Sequence, residues 1–241
     1  MARNDDLRDR RKRFYKTATV AREEGGGFSV RLDGRIPRSP GGKPLVLPTA
    51  RLAELCTQEW AAQGDAIDAA SMPATRMAFT VIDGAAEARA GLADQVARFA
   101  ETDLLLYFAE TPSALVERQE RRWGPVIEWA EAQFDVRFMR AQGIRHVVQP
   151  PQTLERIRAA AAAEGDYALT GLAFGAALLG SALLVLALRR GELSAMAAFD
   201  LSRLDETFQQ EQWGVDAEAE ASAERLAQDV VMLERWFQAL G

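Results

Sequence analysis

An α+β chain, with a small antiparallel β-rich domain leading into a larger helical one, is what three features of the sequence predict. Phe28, Val30 and Leu32 alternate with polar residues, the two-residue period of a half-buried strand, and the tight-turn pair Asp33-Gly34 follows at once. From Thr49 onward the apolar spacing lengthens to that of helices and stays there. Between residues 167 and 188 no side chain ionises except Tyr167, the composition of a central helix buried on all sides.

Taken in order, YKTATV (15–20) and FSVRL read as strands, and Asp33 and Gly34 take structural roles because both tolerate the positive φ of a hairpin turn. Pro37, Pro40 and Gly41-Gly42 interrupt the chain before a short strand at Leu45-Val46-Leu47, ended by Pro48. Residues 1–50 are therefore expected to form the β-rich domain, led by a basic tail, and residues 51–241 the mainly helical one. Thr49 suits a helix cap, and Leu52, Leu55, Cys56 and Trp60 form the stripe of the helix behind it, with Gly64 at its exit. That stripe gives Trp60 a structural place and makes Cys56 a small buried hydrophobe. Further helices are expected over 74–83, 86–101, 112–134, with Pro125 kinking or restarting it, and 152–164. Val136 to Met139 reads as a strand, and Gly143 with Pro150-Pro151 marks a sub-boundary near 141–152. A last helix starts near Asp216 and stripes Leu226, Val230, Leu233, Trp236 or Phe237 and Leu240.

Charge narrows the function. With 29 basic against 35 acidic residues the chain carries −6, and it lacks the basic footprint that nucleic acid demands. The ends differ: residues 1–22 hold eight cations, Arg3, Arg8 and Arg10 among them, against three acids, while 200–241 hold ten acids against three arginines. A single cysteine excludes an internal disulfide and fits a reducing compartment. The first residues offer no apolar signal core and too many aspartates for a transit peptide, so a bacterial cytoplasm is expected, or the mitochondrial matrix if the source is eukaryotic.

No phosphate-cradling loop, dinucleotide fingerprint, serine elbow or zinc-binding histidine pair is present, so no cofactor, metal or catalytic residue is expected. His146 is the one histidine and falls in a loop; it reads as a solvated side chain. Two other readings stay open at this stage. Asp205 with Glu206, or Glu101 with Asp103, could serve a carboxylate-dependent hydrolase, although adjacent helical acids diverge by ~100°. The 22 residues of 167–188 could anchor the protein in a bilayer, although their many glycines and alanines suit close helix packing better, so no stable membrane insertion is expected.

The densest cluster of acids, amides and aromatics is SRLDETFQQEQWG (202–214). On one helix Asp205, Gln209 and Trp213 follow i, i+4, i+8, with Glu206 beside them, giving a polar and aromatic stripe that can either be a wet face or dock a partner.

Several stretches together resemble the assembly chaperones that bind the alpha subunit of the catalytic head of F-type ATP synthase. They are RFYKTATV (13–20), FSVRLDGRIPRSP (28–40), KPLVLP (43–48), LAELCTQEW (52–60), MPATRMAFTVID (72–83), TDLLLY (102–107) and the 202–214 segment. Leu106, Phe108 and Thr207 depart from the family's usual residues. The resemblance implies an ATP-independent chaperone with the alpha subunit as partner, a client-binding role for Asp205, Glu206, Gln209 and Trp213, and a structural one for Trp60.

Overall fold

The alternating segment forms an antiparallel sheet. A computed structural model describes residues 11–143, 145–214 and 217–241. In it β1 (Ala18–Arg22) pairs with β2 (Phe28–Leu32), Ala18 opposite Leu32 and Arg22 opposite Phe28, and β2 pairs with β3 (Val46–Leu47). Asp33 and Gly34 have φ of 46° and 82°, and Leu32 and Arg35 exchange backbone hydrogen bonds across them. The Asp33 carboxylate also accepts from the amides of Lys16 and Thr17 and from the Thr17 hydroxyl; these bonds hold its carboxyl below the usual range. Arg3, Arg8 and Arg10 of the basic tail lie outside the described residues.

The chain packs as two compact units, Met1–Ala85 with Arg235–Gly241, and Ala86–Glu234. In the first, helix α1 (Ala50–Ala61) is capped by Thr49, whose Oγ1 accepts from the Leu52 amide at 3.1 Å. Its stripe of Leu52, Leu55, Cys56 and Trp60 is buried, and the helix lies on the sheet. A three-stranded sheet has too little apolar surface of its own, so this unit extends past residue 50 to include the helix that completes its core.

Helix α2 (Pro73–Glu101) is continuous where two helices were expected. Gly84 does not end it, since one helical glycine costs only about 1 kcal/mol relative to alanine. Asp83 is occupied elsewhere, by the Ser39 hydroxyl and the Gly41 amide.

In the second unit α3 (Ser113–Phe134) runs through Pro125 without a break. The strand expected at Val136 to Met139 is absent: its backbone is satisfied by side chains, Gln149 bonding both the N–H and the C=O of Met139 and Glu131 accepting from the Phe138 amide. Strand β5 (Ala141–Gln142) comes later and pairs in parallel with β4 (Tyr107–Phe108). Thus 141–152 falls within one unit, followed by α4 (Pro151–Ala162).

The apolar 167–188 segment is two helices, α5 (Asp166–Leu179), largely buried but with Phe174 and Ala177 exposed, and α6 (Ala182–Arg189), whose residues 182–188 are all buried. Gly180 turns the chain with φ 66°, and the Ser181 hydroxyl caps α6 by accepting from Leu184 N. Spans of 14 and 8 residues reach ~21 and ~12 Å against a ~30 Å hydrocarbon core, and no helix among the described residues is long and apolar enough to cross a membrane. At Gly175 an added Cβ would lie 2.3 Å from Val185 and 2.5 Å from Leu233.

Helices α7 (Ala195–Ser202), α8 (Leu204–Trp213) and α9 (Ala217–Leu240) complete the chain; the expected helix start at Asp216 lies outside the described residues. Val230, Leu233, Trp236 and Phe237 of the α9 stripe are buried.

Candidate functional site

Leu115, Gln119, Trp123, Ile127 and Ala130 recur along α3 at helical spacing and make one buried stripe. Two members carry polar groups that must find partners, and these attach the segment 201–213. The Trp123 indole donates to Leu201 O at 3.0 Å while its ring meets Phe108 edge-on at 5.8 Å. Gln119, with no solvent exposure, accepts from the Ala109 amide and donates to Asp205 Oδ1, both at 2.8 Å. One residue earlier, Arg118 grips both carboxylate oxygens of Glu211 at 2.8 Å and lies 5.0 Å from the Phe208 ring centre.

Asp205, Phe208 and Glu211 are thus the contacts of one side of α8. The other side carries Glu206, Gln209 and Trp213 at i, i+3 and i+7, all exposed, with Trp213 at 87 %. Three of the four residues that the spacing singled out therefore share a solvent-facing surface, whereas Asp205 is half-buried and turned toward Gln119. Burial raises the Asp205 carboxyl above its usual range, the Gln119 amide opposes this, and the Glu206 charge adds to the rise. Beside α8 a groove of about 370 Å³ opens between Arg121 and Arg122 of α3 and Asp200 and Thr207.

The paired-acid arrangements do not converge. Asp205 faces Gln119 while Glu206 faces solvent. Asp103 is fully buried, accepting from Leu105 N and from Leu183 N at the start of α6, both at 3.0 Å; burial lifts its carboxyl to about 6. Among the described residues no three His, Cys, Asp or Glu side chains are placed to hold a metal ion. His146 is exposed, its Nδ1 3.1 Å from the Tyr107 hydroxyl, and the fully buried Cys56 thiol is pushed upward by desolvation.

Trp60 is 8 % exposed, its carbonyl accepts from the Tyr15 hydroxyl at 2.6 Å, and the two rings meet edge-on. Its neighbour Glu59, which sequence reasoning passed over, caps the next helix by accepting from Ala74 N and Thr75 N at 2.8 and 2.7 Å. Arg118, Gln119 and Trp123 were also missed. The available signal was a glutamine standing among the apolar residues of α3, where only a satisfied polar group belongs.

Residues 12–131 match the family model described as ATP12 chaperone protein. The mitochondrial protein atp12 of Schizosaccharomyces pombe is 27% identical over 215 residues, covering 84% of this chain and 74% of that one. The crystal structure of Atp12 from Paracoccus denitrificans superposes with a TM-score of 0.89 at 38% identity, over 96% of this chain and 99% of its own. The Atu1473 protein of Agrobacterium tumefaciens gives 0.90 at 38% identity, covering 95% and 86%.

Proposed function

Because the chain belongs to the ATP12 chaperone protein family, we propose that it is an ATP synthase assembly chaperone that binds the unassembled alpha subunit of the F-type catalytic head. It is a chaperone, not an enzyme. An orphan alpha subunit exposes the apolar surface that its neighbours normally cover, and a patch of that size aggregates. Covering it until a beta subunit arrives requires a weaker interface than the final one, so that mass action displaces the chaperone without ATP hydrolysis. The setting that follows is the bacterial cytoplasm, or the mitochondrial matrix for a eukaryotic source.

The observation that carries this reading is the outer face of α8. Trp213, almost fully solvated at the helix end, is the kind of aromatic anchor that dominates protein interfaces. Glu206 and Gln209 flank it with carboxylate and amide groups for a basic or amide-bearing surface. Asp205 supports the face from beneath, through Gln119.

The test is affinity capture with the tagged full chain, quantifying alpha and beta peptides separately. Alpha enriched well above beta is expected, and Glu206→Lys should reduce the alpha yield at unchanged melting temperature because the side chain is exposed. Equal recovery of the two subunits, or of neither, refutes the proposal.

A further inference from the structure

The longer of the two edge strands of the sheet, β1, presents unused backbone bonding capacity. Glu23 N bonds Gly27 O and Asp33 N bonds Thr17 O, so in the β1–β2 ladder the odd-numbered residues of β1 face β2. On the other side Val30 N bonds Leu45 O, confirming the alternation. The N–H and C=O groups of Ala18, Val20 and Arg22 consequently point away from the sheet, and none has a hydrogen-bond partner among the described residues. Between Thr17 and Ala21 the strand has no proline and no charge, the usual guards of a free edge. Exposed cations stand at its two ends, Lys16 and Arg22, ~20 Å apart at strand rise.

We propose that β1 is a docking edge on which an extended segment of the client adds as a fourth strand, with acidic residues about six positions apart meeting Lys16 and Arg22. Main-chain bonds would supply the attachment and the two cations its register, the division of labour seen in strand addition generally. This rests on the alpha subunit being the client and adds a second contact, independent of α8.

The experiment is amide hydrogen exchange on the full chain, alone and in complex with purified alpha subunit, read residue by residue after electron-transfer fragmentation. The amides of Ala18, Val20 and Arg22 should slow at least tenfold in the complex, while those of Thr19 and Ala21, already bonded to β2, change little. Ala18→Pro removes an outward N–H without breaking the β1–β2 ladder and should weaken binding about tenfold. Lys16→Glu with Arg22→Glu, which leaves the backbone intact, should do the same. A complex that forms with all three outward amides exchanging at their free rates overturns the proposal while leaving the chaperone function standing. Absence of any complex overturns both. Protection that appears without alpha and grows with chaperone concentration shows that the edge takes a second copy of this chain, and overturns the client assignment.

Discussion

Gln119→Glu is the sharpest test of how α8 is held. The substitution keeps an oxygen for the Ala109 amide but replaces the amide that donates to Asp205 at 2.8 Å with a second carboxylate. Two charges ~3.5 Å apart repel by roughly 5 kcal/mol at an effective dielectric constant of ~20. The alternative is to keep one acid protonated, at ~1.4 kcal/mol for each pH unit above an unperturbed pKa of ~4.3, or about 4 kcal/mol at pH 7. The cheaper route wins, so the variant should lose about 4 kcal/mol at pH 7. The sign follows from linkage: a carboxyl whose pKa is raised by folding stabilises at low pH and loses that contribution as pH rises. At pH 5 the penalty should accordingly shrink to about 1 kcal/mol. Urea unfolding of variant and parent at both pH values measures the difference. A penalty equal at pH 5 and pH 7 would mean that residues 119 and 205 do not meet.

Asp103 should act in the same direction within the native protein. With its carboxyl at about 6 in the fold and ~3.9 unfolded, about 3 kcal/mol of stability present below pH 4 is lost as pH passes through 6, and Asp103→Asn should flatten that slope in urea titrations. Trp60→Arg places a charge where an 8 % exposed indole packs on Tyr15, and a loss of about 3–5 kcal/mol is expected in the same assay; an unchanged midpoint would show that the site is not core. Gly175→Ala drives a methyl to 2.3 Å from Val185, so calorimetry should register a loss of about 1–3 kcal/mol, and a neutral result would show that α5 and α6 can separate there.

Local chemistry made much of the fold legible. The residues of the Asp33-Gly34 turn, the Thr49 cap and the buried stripe of α1 act over a few positions, and their types announce what they do. What escaped depends on details that the local pattern of residue types does not show. Residues 167–188 read as one helix because apolar composition is uniform there, and only Gly180, one glycine among several, shows the break. Val136 to Met139 looked like a strand because nothing nearby reveals that Gln149 and Glu131 will satisfy its backbone. In the candidate site the spacing grouped Asp205 with Gln209 and Trp213, yet a helix has two sides. Which one faces outward was decided by Arg118 and Gln119, more than eighty residues earlier.

The solvation of Trp213 gives the molecule its own optical reporter. Of its five tryptophans, Trp60, Trp123 and Trp236 are buried, Trp129 is half-buried, and Trp213 alone is almost wholly in water. The long-wavelength edge of the emission spectrum and the fraction open to a neutral collisional quencher such as acrylamide therefore belong mainly to one side chain at the end of α8. Anything that settles on that face should shift the light to shorter wavelength and shield it from the quencher, so binding there can be followed by fluorescence without attaching a label.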